Sequence, residues 1–387
     1  MKTVLIISYS FLHRDPRVLR QIQALKSQYD FITIGYTPPF PDHTEIEHYL
    51  VKPGQKSTLP EKVKRLVQFM RKDYFSYYYR KALDFENILK NSVGPPDVII
   101  ANDWDGLYSA VLLKIAKKWQ AKIYFDAHEY APDEFSGLRW RLLIRPVIIY
   151  ALKECRKYID AMSTVCDGIA RKYEKFFDFS SGSVSVITNA PAYQEILRPT
   201  VLHNDKIRLI HHGGATKERK LELMIKMMRY LDPMRYELTF MLVPSQKKYY
   251  DYLVNTARQF KNIHFIEPVE TARIAETLNT YDIGVFIYKG YEFNKIHTLP
   301  NKLFEFIQAR LAIVIGPSSV EMAKIVNRYH LGVCSGNFSP KALAKCIMTL
   351  SPNEIMNCKN NADKYARELS AENNLIKIKN IIDDLAG

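Results

Sequence analysis

Two loops in the second half of this 387-residue chain gather groups suited to holding an anion. The first reads His211-His-Gly-Gly-Ala-Thr-Lys-Glu-Arg-Lys. Gly213 and Gly214, at the end of an apolar run, let a ligand approach the backbone, and the next helix would turn free N–H groups toward it. Arg219 and Lys220 add cations. The same residues also fit a tight turn entering a solvated basic helix. The second loop begins at Tyr288 and ends in Leu299-Pro-Asn-Lys-Leu-Phe-Glu. Amides around Leu299 and Asn301, with Lys302, could hold phosphates at that helix start, and Glu305, one turn in, could accept hydrogen bonds from a ribose diol. The alternative there is a plain helix opened by Pro300, with Glu305 complementing its dipole. In the first half, His128 follows another apolar run, and its neighbours Asp126 and Glu129 would orient an imidazole. Asp103, Asp105 and Glu129 also fall at predicted strand ends, the ordinary place for caps and surface carboxylates.

Absent patterns narrow the chemistry. The loop after the first predicted strand, Ser8-Tyr-Ser-Phe-Leu-His-Arg, has no glycine, and no Walker lysine loop occurs, which excludes nicotinamide, flavin and P-loop nucleotide sites. No Asp-x-Asp pair sits in a suitable loop; Asn102-Asp-Trp-Asp is a poor metal signature, so no metal and no cofactor is expected. Five cysteines (Cys155, Cys166, Cys334, Cys346, Cys358) are scattered and never spaced as CxxC. That argues against disulfides and structural zinc and for a reducing compartment.

The elements that must carry these loops follow from periodicity. With 47% hydrophobic and 25% charged residues the chain can bury two cores, and disorder is excluded. Buried strands are predicted at Thr3–Tyr9, Phe31–Tyr36, Asp97–Ala101, Lys122–Asp126, Ala161–Val165 and Val184–Thr188. After residue 206 they recur at Ile207–His211, Glu237–Val243, Ile263–Ile266, Ile283–Tyr288, Ala312–Ile315 and Gly332–Cys334. Helical patterns separate them. The first is well signalled, with Asp15 as N-cap, Pro16 opening the helix, and Val18, Ile22 and Leu25 on one face. This alternation predicts an α/β protein of two Rossmann-like, doubly wound parallel-sheet domains facing each other across a cleft. The boundaries are a first domain over 1–190, a linker over 191–205, a second domain over 206–370, and a C-terminal helix over 371–387 placed to cross back to the first domain. No apolar run reaches the ~20 residues of a membrane span, and the amino terminus reads as a buried strand rather than a signal peptide.

The net charge is +14. Residues 1–190 hold 28 Lys+Arg against 21 Asp+Glu, and the stretch 52–81, with nine basic and two acidic residues, accounts for that entire excess. There Lys62, Lys64, Arg65, Arg71 and Lys72 interleave with Phe69, Tyr74 and Phe75. Basic residues alternating with aromatics suit an anionic membrane surface; a packed helix with a solvated basic face is the plainer reading. No RNA-binding fingerprint accompanies the segment, and nucleic acid is not an expected partner. Leu138-Arg-Trp-Arg-Leu-Leu-Ile-Arg-Pro is a second basic, aromatic candidate.

Taken together, five segments resemble the GT-B glycosyltransferases, in particular the retaining family 4 (group 1). They are Asp15-Pro-Arg-Val-Leu-Arg, Asp126-Ala-His-Glu, Val186-Ile-Thr-Asn-Ala-Pro, the Gly213-Gly214 loop with Arg219-Lys220-Leu-Glu, and Leu299-Pro-Asn-Lys-Leu-Phe-Glu-Phe. The resemblance covers nearly the whole chain. It implies a nucleotide sugar, UDP- or GDP-linked, bound mainly by the second domain and an acceptor bound mainly by the first, with retention of configuration and no metal. Glu305 matches the second glutamate of the family's E-x7-E pattern, while the first is replaced by His297. The family's arginine falls at Gly214 and its lysine at Lys220, which leaves Arg219 or Lys302 as substitutes for the arginine. The base-reading strand end falls near Pro268 and Val269, and His128 matches a histidine that reaches the donor sugar. The implied protein is cytoplasmic, peripheral on the inner face of the membrane, and extends a lipid-linked glycan in surface polysaccharide assembly. A nucleotide-sugar 2-epimerase of the same architecture, or a degenerate homologue that binds a partner transferase, are the rivals.

Overall fold

The computed structural model describes residues 1–40, 46–51, 58–74, 94–202, 206–290, 292–317 and 319–387. The chain forms two compact units, Met1–Ile187 with Asn374–Gly387, and Thr188–Asn373.

The first unit holds a seven-stranded sheet of β1 (Lys2–Ile7), β2 (Tyr29–Gly35), β3 (Glu47–Leu50), β4 (Val98–Asn102), β5 (Lys122–Ala127), β6 (Ala161–Thr164) and β7 (Val184–Val186). Its order is β3-β2-β1-β4-β5-β6-β7, and every pairing is parallel. β1, β4 and β5 are almost wholly apolar because both faces are covered by helices. The Pro16–Leu25 helix starts where Asp15 accepts from the amides of Arg17 and Val18, and it buries Val18, Ile22 and Leu25. The final helix, Ala371–Ala386, sends Ile378 and Ile382 into this unit's core, and Asp383 accepts from the Tyr29 hydroxyl at 2.6 Å.

Beneath the carboxyl ends of β4–β6 lies a buried polar knot. Asp126, fully buried, is gripped by the Arg17 guanidinium, whose Nε lies 2.6 Å away. Gln21 donates to both Asp126 and Asn102 at 2.8 Å, Ser163 donates to Asp126, and Arg17 reaches the carbonyl of Ile187 at 3.1 Å. Burial works against ionisation of Asp126, yet the guanidinium overrides it and holds the carboxyl below its ordinary range.

The second unit holds β8 (Ile207–Gly214), β9 (Tyr236–Val243), β10 (Ile263–Ile266), β11 (Ile283–Phe286), β12 (Ala312–Ile315) and β13 (Gly332–Cys334), in the order β10-β9-β8-β11-β12-β13, again all parallel. The described part of the 191–205 stretch belongs to this unit, and core side chains tether it. Buried Arg310 donates to the Gln194 carbonyl at 2.7 Å while pairing with Asp363 at 2.6 Å. Lys359 donates to the Thr200 hydroxyl at 2.8 Å. That anchoring by long basic side chains explains why the stretch shows no periodicity of its own. The two α/β parallel sheets agree with the expected fold class. Among the described residues, no helix is long and apolar enough to cross a membrane.

The knot yields a stability prediction. Asp126→Asn keeps the shape but leaves Arg17 buried and unpaired, so denaturant unfolding should show a loss of about 3–5 kcal/mol. The double variant Arg17→Met/Asp126→Leu, which removes both charges, should recover most of it.

Candidate functional site

Gly213 and Gly214 end β8, a central strand of the second sheet. Gly213 sits at φ +113°, where side chains other than hydrogen are strained, and a Cβ there would lie 2.5 Å from Lys302 Cε and 2.6 Å from its Nζ. It would also lie 3.2 Å from Arg219 Nη1. The space a side chain would fill is therefore occupied by two cationic groups. Arg219 ends the short turn Lys217–Arg219 and folds back, donating to the Gly214 carbonyl at 3.2 Å.

Lys302 comes from the Asn301–Gln308 helix, which follows the extended Pro300 and has no side-chain cap on its first amides. Leu303, Phe304, Phe306 and Ile307 anchor the helix in the core. Lys302 and Glu305, three residues apart, consequently share a face. Glu305 Oε2 lies 3.2 Å from Nε2 of buried His212, off the line of a hydrogen bond. His211 directs Nδ1 to the Val285 carbonyl at 2.8 Å, and both imidazoles are buried.

Electrostatics in this cup are unbalanced. Burial, with Arg219 close by, lowers the Lys302 ammonium to about 8 although Glu305 pulls the other way. Burial lowers Arg219 too, and raises Glu305 against the pull of Lys302. Burial and the neighbouring cations push His212 well below its ordinary value and His211 to about 3, so both rings are neutral. Two cations face one weakened carboxylate. A ligand with two or more negative charges would supply what the site lacks.

The other expected site residues are distributed as follows. Lys220 is exposed and occupies the left-handed region at φ +53°, so the turn brings Arg219 rather than Lys220 to Gly213. Leu299 is buried and Asn301 exposed at the helix start. His297 Nδ1 contacts Oε1 of buried Glu321 at 2.9 Å, a partner lying 24 residues on that sequence reasoning did not identify. Pro268 is exposed and Val269 half-buried just beyond β10, the edge strand, with β9 between it and β8.

In the first unit, His128 lines a cavity of about 340 Å³ at the carboxyl ends of β1, β4 and β5. Of the two flanking carboxylates expected to orient its ring, Asp126 is turned elsewhere. It is gripped by Arg17, and Asp103 accepts from the His128 backbone amide at 3.0 Å and lies 3.3 Å from its Nδ1. Asp103 itself sits at φ +58°, a conformation that aspartate tolerates better than most residues.

The basic segment forms the helix Leu59–Met70, opened by a Thr58–Glu61 capping box. Leu59, Val63, Leu66, Val67 and Met70 lie on one stripe, and each is at least 41% exposed. Lys64, Arg71 and Lys72 are exposed, and Tyr74 packs against Phe69 and Tyr150. The side chains of Lys62 and Arg65, and all of Phe75, lie outside the described residues.

No protein-family model matches the chain, and no curated protein matches it by sequence. Solved structures do. A sucrose-phosphate synthase from Thermosynechococcus elongatus superposes with a TM-score of 0.69 at 13% identity, covering 100% of this chain and 99% of its own. HepE from Anabaena, in complex with UDP-glucose, gives a TM-score of 0.69 at 11% identity, with 99% and 100% covered. WaaG, a glycosyltransferase involved in lipopolysaccharide biosynthesis, gives 0.62 at 13% identity, with 98% and 99% covered. The fold is that of the GT-B glycosyltransferases.

The cup makes a local prediction. Gly213→Ala should cost about 1 kcal/mol or more in unfolding experiments, because φ is positive and the added methyl must displace Lys302. A neighbouring Gly214→Ala, with negative φ and only the Ser245 hydroxyl at 2.8 Å, should cost less.

Proposed function

We propose that this GT-B chain is a glycosyltransferase whose second unit holds the diphosphate of a UDP- or GDP-sugar in the Gly213–Arg219–Lys302 cup. The observation that carries the reading is the pair of part-buried cations converging on a glycine with too little negative charge to balance them. A diphosphate fits that deficit, and the uncapped amides of the Asn301–Gln308 helix are further donors. Glu305 is assigned to the ribose hydroxyls.

The chemistry follows from where charge develops. As the bond between the anomeric carbon and the β-phosphate oxygen breaks, its electron pair goes to that oxygen and the sugar becomes oxocarbenium-like. Arg219 and Lys302, fixed in advance, stabilise the growing negative charge more than the ground state. The acceptor hydroxyl, presented by the first unit, forms the new bond to the anomeric carbon and gives its proton to the departing β-phosphate oxygen. We assign retention of configuration and metal independence to this reaction on the strength of the sequence resemblance. The acceptor is assigned as a lipid-linked glycan, and the place of action as the cytoplasmic face of the membrane. The exposed apolar stripe of Leu59–Met70, with Lys64, Arg71 and Lys72 beside it, supports the last point.

Two experiments test the reading. UDP and GDP should be compared in a thermal-shift titration; at a hundredfold excess over Kd the cognate nucleotide should stabilise by about 2.7 kcal/mol, and Lys302→Met should abolish the shift. The sign of the lysine's own effect is opposite. Because its folded value is depressed, the ligand-free fold is penalised while the lysine is charged in the unfolded chain, and the penalty is largest at and below about pH 8. Ligand-free Lys302→Met should therefore be more stable than wild type at neutral pH. Nucleotide affinity should change little between about pH 7 and 8 and fall above pH 8 by up to about tenfold per unit, as the ammonium loses its proton. Absence of any nucleotide shift would defeat the proposal. Separately, the chain should co-sediment with vesicles containing phosphatidylglycerol but not with purely zwitterionic ones, and Val63→Glu/Leu66→Glu should remove that binding.

A further inference from the structure

Two adjacent histidines lie in the last turn of pleat of β8, and the function assigned to the cup uses neither. Successive side chains of a strand point to opposite faces. His211 turns toward β11, where Nδ1 meets the Val285 carbonyl at 2.8 Å. His212 turns toward the Asn301–Gln308 helix and packs edge-to-face with Phe306, ring centroids 5.4 Å apart. Only 4% of His212 is exposed, and its Nε2 is enclosed without a hydrogen-bond partner. A buried polar atom in that state calls for a reason. The acidic atom facing it is Glu305 Oε2, at 3.2 Å.

The surroundings decide what this contact can become. The ring is neutral, because burial and the positive charges of Lys302 and Arg219, with His211 beside it, oppose protonation. A neutral imidazole carries one N–H, and a lone pair turned on a carboxylate oxygen would be repelled, so the proton belongs on Nε2. The contact is within reach but off line, as hydrogen bonds in ligand-free sites often are before a ligand tightens them.

The competing partner for Glu305 is Lys302. It lies three residues earlier on the same helix, a spacing at which opposite charges meet, and the two groups attract. Among the described residues no ion pair joins them; the carboxylate stands against His212 instead. A closed Lys302–Glu305 pair would withdraw both the cation offered to phosphate and the carboxylate offered to hydroxyls. A neutral donor on Oε2 opposes that closure, and it leaves Glu305 its charge and Oε1 its lone pairs.

We infer that His212 is a positioning residue: its Nε2–H holds Oε2 of Glu305 apart from Lys302, so that Oε1 meets the hydroxyls of a ribose and the cup selects ribonucleoside over deoxyribonucleoside diphosphates. The inference rests on the nucleotide reading above and deepens it.

The test uses the full chain and calorimetry with UDP, GDP, and the 2′- and 3′-deoxy forms of whichever binds. Wild type should prefer the ribonucleotide over at least one deoxy form by about tenfold or more, the scale of a hydrogen bond to a charged group. His212→Leu, which removes the donor, should reduce that preference severalfold. His212→Gln, whose amide N–H can reach the position of Nε2, should keep most of it. A merely structural role would weaken ribo and deoxy forms together and leave their ratio unchanged. Nitrogen NMR of histidine-labelled wild type reads the tautomer directly, whether or not a variant folds, and His212 should carry its proton on Nε2. An Nδ1–H tautomer, a wild type indifferent to the ribose hydroxyls, a preference untouched by His212→Leu, or one lost equally in His212→Gln would overturn the inference while leaving the proposed function in place. Failure of both UDP and GDP to bind wild type is a different result; it defeats the proposed function and this inference with it.

Discussion

A missing side chain organises the second unit. At Gly213 the chain ends a central parallel strand with positive φ and no Cβ, and into that vacancy two side chains from different elements bring positive charge. Lys302 arrives from a helix pinned by four buried apolar residues, and Arg219 from a turn fastened to the Gly214 carbonyl. A methyl group there would overlap Lys302 and crowd Arg219. The cations are therefore held in place before any ligand arrives, the condition under which electrostatic stabilisation acts without reorganisation. The neutral histidines behind them serve the same arrangement. Were His211 or His212 charged, the cluster would repel itself; burial keeps both unprotonated and leaves the positive charge at the front.

The first unit handles buried charge in the opposite way. Asp126 and Arg17 neutralise each other completely, with Gln21, Asn102 and Ser163 satisfying the remaining positions. That closed network contributes specificity rather than reactivity, tying the first helix to three strands. Its consequence lies one layer further out. Because Asp126 is fully engaged, the orientation of His128 passes to Asp103, at the start of the next helix. The knot in the first unit thus pairs its buried charges, while the cup in the second sets two cations against one carboxylate.

Most of the architecture was legible from period alone. Apolar runs marked twelve of the thirteen described strands because a parallel sheet is covered on both faces, and Asp15-Pro16 announced the first helix through capping chemistry. The edge strand β3 was not found: Glu47–Leu50 is held by its backbone pairing to β2 and has only partly covered side chains, so it carries no hydrophobic signature. The site was legible at the level of loops but not of contacts. Sequence spacing favoured Lys220 alongside Arg219; the left-handed turn at Lys220 decides between them, and no periodicity encodes it. Likewise nothing near His297 in sequence points to Glu321, which becomes its neighbour only because the following strand and helix return to it.

Composition gave a single number, +14, where the fold holds three distinct fields. One is the positive cup of Arg219 and Lys302 in the second unit. Another is the basic border of an exposed apolar helix stripe. The third is a cavity walled by carboxylates in the same unit as that helix. The proposed transfer reaction gives a physical reason to keep them distinct. A uniformly basic protein would bind nucleotide and lipid headgroup without discrimination. On the proposed reading, cations confined to the place where the leaving group departs restrict anion binding to that cup, so that selectivity comes from where charge is placed as much as from how much of it there is.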